Sequence, residues 1–103
     1  MKKEVIIHIG AKKELSKFSE SVQEKFEGFF LLLIEEGRLY FPDAKKIESN
    51  LFEIRIKDMG EYRGIYAYLR KDSIVILHFF RKKTVKTPLT SIKLARKRIK
   101  DYE

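Results

Sequence analysis

The chain contains no cysteine. Disulfides, thiolate metal sites and cysteine nucleophiles are thereby excluded, and the composition suits a reducing compartment. Long hydrophobic runs are missing too. The longest, Phe29 to Ile34, is six residues, against the ~20 that a membrane-spanning helix needs. Histidine is scarce: His8 and His78 stand far apart with no acidic cluster at ligand spacing, so neither a metal nor another cofactor is expected. There is no phosphate-binding loop or dinucleotide fingerprint, and the serines have no His/Asp context for a triad. Lys2 and Lys3 before Val5, Ile6 and Ile7 begin like a signal peptide. His8 interrupts that stretch, however, and Lys12 and Lys13 stand where a small-residue cleavage site belongs. A first strand, no membrane and a cytoplasmic location are the expectation.

What the chain does have is positive charge in one place. Lys and Arg number 23 against 15 Asp and Glu, a formal net charge of +8. Residues 1–50 hold nine basic and nine acidic side chains, whereas residues 51–103 hold 14 basic and six acidic, so the whole excess lies in the second half. That asymmetry suits a polyanionic partner, either nucleic acid or an acidic protein segment. At 103 residues, 44% apolar and 37% charged, the chain is expected to form one domain, 1–103. Such a domain buries roughly 60–65% of its unfolded surface around one small core.

Periodicity orders the elements. Glu4 to Ile9 is short, β-branched and bounded by Gly10, a strand signal. From Ala11 the spacing turns helical. Ser21-Val22-Gln23-Glu24 has capping-box spacing, followed by Val22, Phe26, Phe29, Phe30 and Leu33 at helical intervals and Gly37 as the stop. Leu31, Leu32 and Ile34 make this helix apolar on more than one face, which fits burial or a patch kept for a partner. Residues 38–50, with Pro42 and little periodicity, read as a connecting loop. Three strands then follow. Leu51 to Lys57 alternates, Asp58-Met59-Gly60 turns, Tyr62 to Leu69 is aromatic and β-branched, Lys71-Asp72 turns again, and Ser73 to Phe80 is apolar on both faces apart from His78. Thr87-Pro88 reads as an N-cap and first helical residue, opening a helix with Leu89, Ile92, Ala95 and Ile99 at helical spacing. The result is an α+β domain of order β-α-α-β-β-β-α.

Cations mark the strands. Arg55 and Lys57 share one face, Arg63 opens the next strand, and Arg81, Lys82 and Lys83 end the last one with Lys86 just beyond. Neighbouring strands are about 4.8 Å apart, so these charges can converge on one patch. Such a patch binds phosphates and stabilises a phosphorane-like transition state, arginine as a bidentate fork and lysine as a mobile charge. The same residues also suit a solvated sheet edge kept from aggregating. His78 fits a satisfied inner histidine. Arg63, close to the Gly60 turn, is expected to carry an exposed head group not needed for packing.

Leu51-Phe52-Glu53-Ile54-Arg55, Tyr62-Arg63-Gly64-Ile65-Tyr66, Leu77-His78-Phe79-Phe80-Arg81-Lys82-Lys83-Thr84 and Thr87-Pro88, with Ala95 and Arg98 in the last helix, closely resemble the phage-derived HigB-like toxins of the RelE/ParE toxin–antitoxin superfamily. The resemblance runs over almost the whole chain. It implies a RelE-like, microbial-RNase-like fold: a small twisted antiparallel sheet with two N-terminal helices on one face and a C-terminal helix beside it. It also implies a metal-independent endoribonuclease that cleaves messenger RNA on the ribosome and inhibits translation, the RNA's own 2′-hydroxyl being the nucleophile. On that likeness Arg63 would stabilise the phosphate, Lys83 would be a second transition-state cation, and Arg55 would orient or deprotonate the 2′-hydroxyl. Lys57, Arg81, Lys82 and Lys86 would be RNA-phosphate contacts. Glu53 stands where prototype RelE toxins have a lysine, and no tyrosine follows Lys82-Lys83 closely. The general acid and base are thus open, with His78 and Tyr102 as candidates for proton transfer. The implied partners are a cognate HigA-like helix-turn-helix antitoxin, mRNA and the ribosome. The alternative is a non-catalytic nucleic-acid- or protein-binding module on the same fold, a ParE-like gyrase inhibitor or an inactive phage-derived relative.

Overall fold

The computed structural model describes residues 2–70 and 72–103. In chain order the elements are β1 (Glu4–Ile7), α1 (Ile9–Ser16), α2 (Glu20–Glu36), β2 (Ala44–Glu48), β3 (Leu51–Lys57), β4 (Glu61–Tyr68), β5 (Ser73–Lys82) and α3 (Leu89–Ile99), followed by a 3₁₀ turn at Lys100–Tyr102. The strands form one five-stranded sheet in the order β1-β5-β4-β3-β2. The α+β class stands, with three corrections to the expected architecture.

First, the stretch read as a loop contains a strand. Ala44 and Lys45 pair antiparallel with Ile54 and Glu53. The link to β3 is tight because Asn50 adopts φ 53, a left-handed geometry that asparagine tolerates. The Asn50 side chain then donates to the Tyr68 carbonyl at 2.8 Å and accepts from the Tyr68 N–H at 3.0 Å. Second, the sheet is mixed: β1 runs parallel to β5, Glu4 opposite Ser73 and Ile7 opposite Ile76. Third, the C-terminal helix packs on the face of the sheet opposite the N-terminal pair. Ala11, Phe26, Phe30 and Leu33 bury Ile54, Ile56, Ile74, Ile76 and Phe79 on one side. Ala95 and Ile99 bury Leu51, Ile65, Ala67, Val75 and Leu77 on the other. β5 is therefore covered on both faces, which its unbroken apolar run requires.

The caps differ from the local reading. α2 is capped by Ser19, whose hydroxyl accepts from the Val22 N–H at 3.2 Å. Ser21 instead donates to Asp58 at 2.6 Å. Gly37 ends α2 at φ 78 with its N–H on the Leu33 carbonyl, as a glycine in the left-handed region does. α3 starts after Pro88 with no side-chain cap. Lys71, read as a turn residue with Asp72, lies outside the described residues.

The two helical layers are joined through Glu14 on α1. Its Oε1 accepts from the Phe79 N–H at 3.0 Å and from Arg98 of α3 at 3.0 Å, and lies 2.9 Å from His78 Nδ1. Burial alone would raise the Glu14 pKa. The bonds from His78, Arg98 and the Phe79 N–H reverse this and bring it to about 2. Arg98 also donates to the Leu77 carbonyl at 2.9 Å.

Candidate functional site

α3 covers only part of its face of the sheet. Beyond its first turn the strands continue with polar residues in place of Leu51, Ile65 and Ala67. Alternation puts Glu53, Arg55 and Lys57 of β3 on this face with Glu61 and Arg63 of β4 and Lys82 of β5. The register places Arg55 opposite Arg63, Lys57 opposite Glu61, and Glu61 opposite Lys82. A cavity of about 500 Å³ opens here, its walls including Lys45 of β2, Glu53, Arg55, Lys82, and Lys86 and Thr87 of the loop before α3. Three strands and one loop thus deliver cations to one cavity around the Glu53 carboxylate, with Arg63 of β4 beside Glu53 in the sheet.

Arg63 is not the exposed head group expected of it. Its side chain is 3% exposed. Nη2 donates to Glu61 Oε1 at 2.7 Å and Nη1 to the Tyr62 carbonyl at 3.0 Å. Nε lies 3.5 Å from Glu53 Oε1, close enough for charge attraction, yet it is a buried donor without a hydrogen-bond partner. The physical reason is the length of β4: it begins at Glu61, so Arg63 falls inside the sheet and not at its lip. A buried guanidinium is tolerable only beside negative charge, which Glu53 and Glu61 supply. Glu53 is itself buried, and its Oε2 accepts from the Thr87 hydroxyl at 2.6 Å. The residue read as a helix cap thereby fastens the 84–87 loop to the floor of the site.

Lys82 has a lowered pKa. Burial is the main cause, and the positive charges of Arg63, Arg55 and Lys45 add to it against the pull of Glu53. Glu61 is held below the usual carboxylate range, chiefly by its bond from Arg63.

The other sequence-derived candidates separate. Lys57 is on the same face and pairs with Glu61 at 3.6 Å. Lys86 lines the cavity. Lys83 follows the last residue of β5 and is exposed, outside the cavity walls. Arg81 points to the other face, where it lies 5.6 Å over the Tyr62 ring and donates to the Met59 carbonyl at 3.3 Å. His78 is wedged between Glu14 and Ser91, at 2.9 and 3.2 Å, with Phe80 stacked on its ring. Tyr102 sits edge-on to His8, beside β1. Neither His78 nor Tyr102 joins the cations. Lys45 and Glu61 were not singled out from the sequence. Lys45 sits in the segment read as a loop, and only its pairing with Glu53 brings it in.

Residues 13–100 match the family described as phage-derived protein Gp49-like (DUF891). In three dimensions the chain is similar to a mutant of the Escherichia coli toxin RelE in the free state, with TM-score 0.70, 15% identity and 100% of both chains covered. The isolated E. coli RelE toxin gives a TM-score of 0.65 at 16% identity, over 91% of this chain and 97% of that one. A chain of the Mycobacterium tuberculosis toxin–antitoxin complex RelBE2 gives 0.62 at 20% identity, over 80% of this chain and 100% of that one. These identities establish a likeness of fold. No protein of curated function matches the sequence.

Proposed function

The chain belongs to the phage-derived Gp49-like family, and on that premise we propose that it is the toxin of a type II toxin–antitoxin system, a ribosome-dependent endoribonuclease acting on mRNA. The observation that supports this most is that Arg55, Arg63 and Lys82 stand on one face of three adjacent strands, with Arg55 and Lys82 in the wall of the cavity. In this reading the RNA 2′-hydroxyl attacks the adjacent phosphorus in line and the 5′-oxygen leaves, so the protein supplies positioning and charge. Arg63, already fixed by Glu53 and Glu61, meets the developing phosphorane charge once Glu61, whose side chain is 39% exposed, turns aside for the phosphate. The Tyr62 carbonyl and Glu53 still hold Arg63 when Glu61 has moved, so the cation itself needs little reorganisation during the reaction. Arg55 orients the 2′-hydroxyl. Arginine does not give up its proton, so the departing 5′-oxygen takes its proton from the Lys82 ammonium, whose pKa is lowered in the same cavity, and the 2′-hydroxyl proton passes to water. Lys45, Lys57 and Lys86 hold flanking phosphates, with Lys83 at the outer margin. Translation stops, and a cognate helix-turn-helix antitoxin of HigA type restores it.

One observation favours a second reading, a non-catalytic binding module: Arg63 is buried between two carboxylates and its charge is spent within the fold. The toxin reading predicts a helix-turn-helix protein encoded beside this gene, and induced expression with and without it, followed by mapping of mRNA 5′ ends, separates the two. The toxin reading predicts new 5′ ends inside translated frames that vanish when the neighbour is co-expressed. Growth arrest without new 5′ ends contradicts it and selects the binding module.

A further inference from the structure

β2 pairs with β3 only as far as Ile54, with one further bond from the Arg55 N–H to the Asp43 carbonyl at 2.8 Å. Past that point the edge of β3 faces α2 across a groove of about 430 Å³. Its floor is apolar, made of Phe29, Leu32 and Ile56, and its rim is cationic, made of Lys25, Arg55 and Lys57. Leu32 is 46% exposed, and Leu31 beside it 63%. The core stripe of α2 is complete without them, since Val22, Phe26, Phe30 and Leu33 are its buried residues.

Gly28 lines this groove. A glycine inside a helix weakens it relative to alanine, and a Cβ built at Gly28 would meet nothing within 4 Å. Packing within the chain therefore does not demand glycine there. What it leaves open is the groove. The rim has a matching feature. Lys25 is paired with Asp58 at 3.4 Å and Lys57 with Glu61 at 3.6 Å, but Arg55 makes no ion pair among the described residues. Its guanidinium stands 6.0 Å from the Phe41 ring.

We propose that this groove docks a segment of the antitoxin that carries apolar side chains beside a carboxylate, the apolar groups on Phe29, Leu32 and Ile56 and the carboxylate on Arg55. The inference rests on the toxin–antitoxin reading and gives it a mechanism of neutralisation. Arg55 lines both the groove and the cation cavity, so a carboxylate that engages it takes one cation from the RNA. An amphipathic peptide buries such an apolar floor along its length, and the positively charged rim steers an acidic segment in.

The test fills the groove without touching the cations. Gly28→Phe and, as a milder polar change in the floor, Leu32→Gln are compared with the wild type in three measurements: calorimetric affinity for the neighbouring helix-turn-helix protein, affinity for a short RNA, and melting temperature. The inference predicts antitoxin affinity weakened by about tenfold or more with RNA affinity and melting unchanged. Arg55→Ala should weaken both antitoxin and RNA. Antitoxin affinity unchanged in both groove variants overturns the docking site while leaving the toxin–antitoxin reading intact. A wild-type protein that does not bind the neighbour at all overturns that reading, and this inference with it.

Discussion

Arg63 is the residue at which the fold and the proposed chemistry meet. Its guanidinium is held by Glu61 and the Tyr62 carbonyl and faces Glu53 at 3.5 Å. Arg63→Ala leaves Glu53 buried without its partner, and breaking a buried pair in this way costs about 3–5 kcal/mol. The alanine variant should therefore lose stability together with activity, and toxicity alone says little about mechanism. Arg63→Lys keeps the charge and loses the planar fork. It should stay folded yet cleave about 10²–10³ more slowly, the loss expected when a preorganised donor is misplaced at a developing charge. Single-turnover cleavage of a short RNA, read beside thermal melting, checks both. Wild-type cleavage by Arg63→Lys would show that the fork does not meet the phosphate.

Glu14 is the corresponding point among the elements, because α1, β5 and α3 meet on its carboxylate. Its folded-state pKa of about 2 lies below the ordinary 4.5. The resulting stabilisation is fully present above pH 4.5 and is lost as the pH falls towards 2. It amounts to up to about 3 kcal/mol. Glu14→Gln should melt lower at neutral pH and lose most of that acid dependence, as urea unfolding between pH 2 and 7 will report. An unchanged pH slope would mean that the carboxylate is not the tie. Little of this was legible in the sequence. Glu14 is one acid among many until β5 and α3 are folded against it. The hydroxyls of Ser21 and Thr87 have good cap spacing, but each is taken by a distant carboxylate, Asp58 and Glu53, and helix ends shift accordingly. β2 was hidden because Pro42 marks its approach and two lysines fill its centre. The strands that follow were legible to within a residue or two at most ends, since alternation along Leu51–Lys57 is itself the pleat.

For the molecule as a whole, the charge asymmetry between the halves of the chain becomes spatial. β3 to α3 carry the net excess, shared between the part of the sheet that α3 leaves bare and α3 itself, with Lys93, Arg96, Lys97 and Arg98. Sequence motifs found Arg55, Arg63, Lys57, Lys82 and Lys86. They could not show that Lys82 rather than Lys83 lines the cavity, because that depends on which face the end of β5 presents. They also could not show that Arg55 belongs to two surfaces, which requires the pairing of β2 with β3 to end at Ile54. The central claim is that this strip of cations promotes attack by the RNA on itself. The most direct test is the chemical identity of the new ends after a short RNA is cut by the purified protein on programmed ribosomes. A 2′,3′-cyclic phosphate, or the 3′-phosphate formed from it, opposite a 5′-hydroxyl is the predicted result. A 3′-hydroxyl opposite a 5′-phosphate would contradict it, since that outcome requires an external nucleophile.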